Sequence, residues 1–526
     1  MGDREKARTL LGIILIVVIS LGVLLPGLGT VSFWDSDEAR YAECARNAIQ
    51  HSHWIVPYYN GHPRVVKPPF MVWSVALSSL VLNGGEVTEF TARIPSVLAG
   101  IGTVVVTYLL AKAMLGSELP AFLAAFILLT SHLFYKQARF SITDMVLTFF
   151  VTLGLYCFYK AYTKESRGYV MGMFAALGMA TMDKGPAVGL VLPGAIICTY
   201  LTLREDLKSV GRFLYPPGLL LYLLITLPWP ILLGKHYLVD FLWNNNVKRF
   251  AANPGWKTPF WFYVWNFPLH FTPWSAFLPL VIKVIKRAGD KLEEVFFPMS
   301  WFAAIFILFS ISDTKRSSYI LPLYPAAAVI AAWALSKGLE MKDELKAAWA
   351  LSMGLFAFTL VGYGVCLVFV FVRHIPSYTF VAMAVLGSLI IMAGFFFFIS
   401  KLSLVKEEMI LSCVGALLLA LGYTSLYQPL YDRHYRSPKP YCLDIRGTVG
   451  DLPLYHYGSI RAHDIFYIQK GVIPSLPLQG QLEGEFFVMA RGDKLSKLKR
   501  KCPSLRVVKR YGFRGKEVVL LRGERC

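Results

Sequence analysis

Long apolar runs alternate with short polar segments along most of the chain. The first uncharged run, Thr9 to Trp34, follows the basic start Met1-Gly-Asp-Arg-Glu-Lys-Ala-Arg8. It is longer than a signal-peptide core and ends in Phe33-Trp34-Asp35 without a small-residue cleavage site. It therefore reads as a retained helix with a cytoplasmic N-terminus. Further runs near the ~20 residues needed to cross a bilayer lie at 94–111, 119–135, 142–159, 168–182, 186–203, 213–233, 262–282, 295–312, 317–336, 347–372, 375–400 and 408–427. The pattern thus predicts thirteen transmembrane helices. Pro68 to Asn83 is also apolar, but it is short, opens with Lys67-Pro68-Pro69 and closes at Asn83-Gly84-Gly85-Glu86. It is read as lying along the membrane interface.

After Pro429 the pattern changes. Strand-like runs at Glu485–Met489, Leu505–Lys509 and Glu517–Leu521 alternate with helix-like segments at Ala462–Gln469 and Lys494–Lys501. The expected organisation is a transmembrane domain over 1–430 and a small soluble α/β domain over 431–526. Two large extracytoplasmic loops fall within the first, at 32–93 (with juxtamembrane helices) and at 234–262.

Composition agrees with this class. Residues of the AVILMFWYC set make up 56% of the 526 and charged residues only 16%, with a mean hydropathy of +0.52. Soluble chains are roughly a quarter charged, so a soluble enzyme, a disordered protein and a disulfide-stapled module are excluded. Lys plus Arg exceed Asp plus Glu by 53 to 33. With Pro68–Asn83 at the interface, cationic residues between the spans favour the cytoplasmic side, as the positive-inside rule requires. No basic helix or aromatic-basic motif points to nucleic acid. The eight cysteines lack metal spacing; Cys442 and Cys502 are the candidate disulfide pair if the tail is extracytoplasmic.

Under this topology one face collects the unusual polar loops. Trp34-Asp35-Ser36-Asp37-Glu38 opens a surface helix, where first-turn carboxylates stay ionised and can accept a proton or bind a cation. Asp35-x-Asp37 is a candidate ligand pair for a divalent metal ion. The prolines after Lys67 present its ammonium from a stiff segment, and Arg93 stands just before Ile94-Pro95. Asp144 sits at the edge of an apolar run, where a carboxylate needs a cavity or partner; Arg139 is its nearest candidate for an ion pair. Lys184, Arg249 and Lys315 each stand beside a span end, and Tyr319 adds a phenol. Singly, each also reads as a cap, a headgroup anchor or a structural ion pair. Together they describe a cationic basin with a few carboxylates, suited to a phosphate or pyrophosphate attached to a lipid.

The ordered set Asp37-Glu38-x-Arg40-Tyr41-x-Glu43, Lys67-Pro-Pro, Lys184-Gly-Pro, Lys248-Arg-Phe with Pro259-Phe-Trp-Phe-Tyr263, and Lys315-x-x-x-Tyr319-x-Leu-Pro resembles the bacterial GT-C membrane glycosyltransferases. Within them it is similar to the lipid A 4-amino-4-deoxy-L-arabinose transferases, with the protein O-mannosyltransferases as cousins. The likeness runs from about Leu10 to Leu430. It implies a GT-C fold with thirteen spans, a periplasmic C-terminal domain and residence in the bacterial inner membrane. It implies an inverting transfer of a sugar from undecaprenyl phosphate to lipid A, a related glycolipid or a protein; the sequence leaves the oligomeric state open, with a monomer expected. The family's acidic positions fall on Asp37, beside Glu38, and on Asp144, and its phosphate-holding positions on Lys67, Arg249 and Tyr319; the expected mechanism has the phosphate held by Lys67, Arg249 and Lys315, assisted by Tyr319, Lys184 and Arg93. Val66 and Asn244 depart from the acid and histidine that some relatives carry, so a Glu/His metal site is not implied; no nucleotide or redox cofactor is needed. A lipid-linked sugar flippase is the rival from another class, against which stand the lack of internal repeats and the clustering of polar motifs at one face.

Overall fold

The computed structural model describes residues 3–33, 36–238, 241, 258–341, 343–401, 404–477 and 482–526. By packing, the chain divides into two compact units: Met1–Pro26 with Val65–Met71 and Ile94–Leu426, and Gly27–Arg64 with Val72–Arg93 and Tyr427–Cys526.

The first unit is helical. Among the described residues, eight helical stretches of the chain are long and apolar enough to cross a membrane. They include α1 (Asp3–Leu24), α4 (Glu89–Leu115) and α7 (Thr143–Lys164). Three more expected spans are each broken in two. Glu118–Ala138 bends by 68° between α5 (Glu118–Thr130) and α6 (His132–Ala138), Leu207–Thr226 by 63°, and Phe262–Arg287 by 110°. Counting each bent pair as one span gives eleven, below the thirteen read from the pattern. Hydropathy sees a continuous apolar run where the backbone turns: Ser131 is extended, and Tyr215 is held extended by the following Pro216.

The expected span over 186–203 is a π-helical turn, Ala187–Val191, leading into the short helix Leu192–Leu203. Gly185, at φ +96°, ends α8 (Arg167–Lys184). Gly189 then lies so close to α8 that a Cβ would stand 2.4 Å from the Thr181 nitrogen. The chain therefore folds back tightly on the turn that carries Asp183 and Lys184. The apolar helix after Lys67, α3 (Phe70–Asn83), has 14 residues. At 1.5 Å per residue it reaches about 21 Å, short of the ~30 Å hydrocarbon core.

The second unit contains α2 (Ser36–His51) and a tight hairpin of β1 (Tyr58–Tyr59) and β2 (His62–Pro63). Asn60 and Gly61 both take positive φ in its turn, and the Asn60 side chain bonds the Ile473 backbone at 2.8 and 3.1 Å. Its sheet has four strands in the order β3-β4-β6-β5: β3 (Leu454–Tyr457), β4 (Glu483–Arg491), β5 (Arg506–Phe513) and β6 (Lys516–Arg525). β3 and β4 are parallel; the other pairs are antiparallel. Phe486, Val488, Ala490, Leu498, Val519 and Leu521 form its core. The disulfide joins Cys502 to Cys526, and Cys442 is free and buried. This corrects the expected Cys442–Cys502 pair: Cys442 lies on the helix Lys439–Val449 with its thiol toward Asp464, whereas strand β6 returns the C-terminus to Cys502.

Candidate functional site

Two groups of charged side chains, one in each unit, hold the residues singled out by the sequence. In the second unit Asp37 stands in the first turn of α2. Its carboxylate accepts from Arg40 at 3.0 Å and lies 3.8 Å from the Arg64 guanidinium. Two guanidiniums on one carboxylate leave it a poor seat for a further cation. Asp35 lies outside the described residues, and among those described no group of three His, Cys, Asp or Glu gathers.

Glu38, one residue on, is wholly buried, and so is Arg93. Arg93 donates Nε to Oε1 at 2.9 Å and Nη2 to Oε2 at 3.3 Å, a bidentate pair. The remaining guanidinium N–H groups bind the carbonyls of Leu28 (2.7 Å), Val31 (2.6 Å) and Ser32 (3.0 Å). Arg93 thereby pins the chain between α1 and α2 and saturates its donors. Further along α2, buried Glu43 accepts from Arg46 at 2.6 Å; desolvation pushes its carboxyl up to about 7 against the lowering effect of Arg46 and Asn47.

In the first unit, four segments bring Lys67, Asp144, Lys184 and Tyr319 together. Lys67 Nζ donates to Thr143 Oγ1 at 3.2 Å. Asp144, in the first turn of α7, forms an ion pair with Lys184 at the end of α8. The Lys184 ammonium also lies 5.4 Å from the centre of the Tyr319 ring, presented by the 3-10 turn Ser317–Leu323. Asp183 is completely buried, neither of its oxygens has a hydrogen-bond partner among the described residues, and it feels the charges of Lys67, Lys184 and Asp144. Sequence reading singled out Lys184 and passed over Asp183. The available signal was a carboxylate at the last turn of an apolar helix, the same signal that singled out Asp144.

The other expected residues have other partners or lie outside the described residues. The Asp144 partner is Lys184 rather than Arg139, which is buried and donates to the carbonyls of Leu24 and Thr424. Lys315 donates to the carbonyls of Thr258 and Ser312. Arg249 falls outside the described residues.

The profile of the dolichyl-phosphate-mannose-protein mannosyltransferase family matches residues 9–245. An undecaprenyl phosphate-alpha-4-amino-4-deoxy-L-arabinose arabinosyl transferase of Edwardsiella ictaluri is 30% identical over 60% of this chain and 58% of its own length. An uncharacterized protein of Aquifex aeolicus is 31% identical over 61% of this chain and 73% of its own. The chain belongs to the GT-C membrane glycosyltransferases. Its fold is that of a multi-pass membrane protein of this family: the crystal structure of ArnT from Cupriavidus metallidurans bound to undecaprenyl phosphate superposes with a TM-score of 0.78 at 21% identity, over 99% of this chain and 98% of that one. The chain spans about three fifths of the length of the curated arabinosyl transferases it matches.

Proposed function

We propose that this GT-C protein is an inverting glycosyltransferase that moves a sugar from undecaprenyl phosphate to lipid A or a related glycolipid. The Lys67–Asp144–Lys184–Tyr319 cluster carries the reading. Two ammonium groups beside a phenol, collected at helix ends, suit a lipid-linked phosphate. The acceptor oxygen attacks the anomeric carbon, the bond from that carbon to the phosphate oxygen breaks, and undecaprenyl phosphate leaves with the electron pair. Lys67 and Lys184 offset the negative charge that grows on the leaving oxygen, an interaction strengthened where water is excluded. Asp37 takes the proton of an acceptor hydroxyl, or orients an acceptor phosphate that has none to lose. Arg249 and Tyr319 complete the phosphate contacts, with Lys315 in a supporting position. Glu38 and Arg93 serve the framework in this reading, since each satisfies the other inside the protein.

The finer topology belongs to the same proposal: thirteen crossings, a cytoplasmic N-terminus and a periplasmic domain over 431–526. The Cys502–Cys526 disulfide supports an oxidising compartment for that region. A protein acceptor is the second reading, favoured by the mannosyltransferase profile over 9–245.

Purified protein in detergent, given undecaprenyl-phosphate-aminoarabinose and lipid A, should release undecaprenyl phosphate and add the sugar mass to lipid A. Lys67→Ala and Lys184→Ala should abolish both products. Wild-type protein that leaves the donor intact would overturn the proposal, and sugar found on protein with lipid A unmodified would favour the second reading.

A further inference from the structure

Two of the bent helices meet at their breaks. The His132 N–H, just after the break between α5 and α6, donates to the Thr272 carbonyl in the break of Phe262–Arg287 at 3.0 Å. Trp274 Nε1 donates to Thr130 Oγ1 across the same junction at 2.8 Å. Around it gather His132 and Tyr135 of α6, His270, Tyr363 from Lys346–His374, and Tyr423 from the π-helical turn Gly422–Tyr427. The His132 ring centre lies 5.2 Å from that of Tyr423, 5.4 Å from Tyr135, 6.1 Å from Tyr363 and 6.3 Å from His270. The Lys136 ammonium acts electrostatically on both imidazoles.

Polar side chains within apolar spans cost free energy and concentrate where they line a cavity or pathway. Broken helices at membrane depth follow the same rule, and π-turns recur at functional sites. Here all three coincide, and the phosphate cluster uses none of these residues. The rings are also fixed along one edge. His270 Nδ1 bonds the Asn266 carbonyl at 3.0 Å. A carbonyl only accepts, so Nδ1 carries the hydrogen and Nε2 of the neutral ring is left as an acceptor. His132 Nδ1 shares a hydrogen bond with the Tyr135 hydroxyl at 2.9 Å, and the Tyr363 hydroxyl shares one with Thr272 Oγ1 at 2.8 Å. His132, His270, Tyr363 and Tyr423 are each half-buried, so parts of their surfaces remain reachable.

We propose that this junction is a sugar-binding subsite. Aromatic faces suit the C–H side of a pyranose, and imidazole nitrogens and phenols suit its hydroxyls. Lys136 supplies a cation for a phosphate or carboxylate carried by the sugar. The inference rests on the glycosyl-transfer reading above and deepens it. The ring belongs either to the donor or to the acceptor.

The test uses full-length Tyr423→Phe, His270→Gln and Tyr363→Phe proteins in detergent. KM is measured separately for undecaprenyl-phosphate-aminoarabinose and for lipid A, alongside affinity for undecaprenyl phosphate, which carries no sugar. A tenfold or greater rise in one substrate's KM, with undecaprenyl phosphate affinity unchanged, supports the subsite. Which KM moves identifies the sugar as donor or acceptor. Unchanged KM values, a fall in kcat alone, or an equal loss of undecaprenyl phosphate affinity would overturn it, since each fits a role in packing or lipid binding. Failure of the underlying reading looks different: the wild-type protein would itself consume no donor.

Discussion

The Asp432 carboxylate closes on Ser32, accepting its backbone N–H at 2.7 Å and its hydroxyl at 2.7 and 2.8 Å, across 400 positions of sequence. Beside it the Phe33 N–H donates to the Tyr467 hydroxyl at 2.9 Å, and that hydroxyl donates to Glu89 at 2.9 Å. Lys439 adds a bond to Glu89 at 2.7 Å. Residues near the end of the chain thus hold the segment that leads into Asp37. Asp432→Ala leaves two buried donors of Ser32 unpaired, a cost of about 1–3 kcal/mol for each. We expect kcat to fall about tenfold or more with donor KM unchanged, and Tyr467→Phe to give a smaller fall in the same direction. Wild-type turnover in Asp432→Ala would show that the tie does not position the loop.

The bidentate Glu38–Arg93 pair makes a different prediction. Removing one partner leaves an uncompensated buried charge, which costs about 3–5 kcal/mol. Arg93→Met should therefore lower the thermal unfolding midpoint and detergent-extracted yield sharply. The double variant Glu38→Gln/Arg93→Met should recover part of the loss, because no lone charge remains. An Arg93→Met protein with wild-type stability but a raised donor KM would instead make Arg93 a phosphate ligand.

Lys184 has two carboxyl neighbours, Asp144 as its ion-pair partner and the buried Asp183 one position before it in the chain. Asp144→Asn frees the ammonium from its pair while leaving the residue's shape nearly unchanged. We expect tighter binding of undecaprenyl phosphate by roughly three- to tenfold, since removing a charge interaction of about 1 kcal/mol or so shifts affinity by that much, together with slower turnover. Fluorescence titration with undecaprenyl phosphate measures the first effect and steady-state kinetics the second. Weaker binding in Asp144→Asn would mean that Asp144 orients Lys184 rather than competing with the phosphate.

The apolar runs showed the membrane class because burial in lipid demands unbroken hydrophobicity, and that demand is written locally. The strand runs Glu485–Met489 and Glu517–Leu521 were legible for the same reason: apolar positions contiguous over a strand length, inside β4 and β6. Strand β3 was not, since Leu-Tyr-His-Tyr reads equally as loop. The bends were hidden because hydropathy does not change where Ser131 turns the backbone. Site residues were legible as residue types, each a charge at the edge of an apolar run. Their partners were not. Glu38 meets Arg93 at a separation of 55 positions, and Asp144 meets Lys184 at 40, distances over which no periodicity operates. Arg139 is the cation nearest to Asp144 in sequence, but the fold directs it to two carbonyls distant along the chain instead.

The Cys502–Cys526 bridge closes a loop of 24 positions that contains strands β5 and β6. In the chain-entropy description a loop of that size stabilises by about 3 kcal/mol. Reduction should lower the unfolding midpoint and increase hydrogen exchange in β5 and β6, and Cys502→Ser/Cys526→Ser should match the reduced protein. Identical exchange with and without reductant would show that the sheet core alone suffices.

Glu43 gives a prediction in pH. It is buried in α2, its ordinary carboxyl value is 4.5, and burial raises it to about 7. Between those values the folded protein binds a proton that the unfolded chain does not. Stability from this group is therefore fully present below about pH 4.5, falls as pH rises, and is lost above about pH 7. The whole change is on the order of 3 kcal/mol, since each pKa unit corresponds to about 1.4 kcal/mol. Many other carboxyls titrate over part of this window, so the informative quantity is the difference between wild type and Glu43→Gln. The variant keeps a hydrogen-bonding side chain for Arg46 and Asn47 but has no proton to lose. Unfolding midpoints in detergent between pH 5 and 8 should show Glu43→Gln gaining stability relative to wild type as pH rises. A constant difference across that range would mean that Arg46, at 2.6 Å, holds Glu43 ionised throughout.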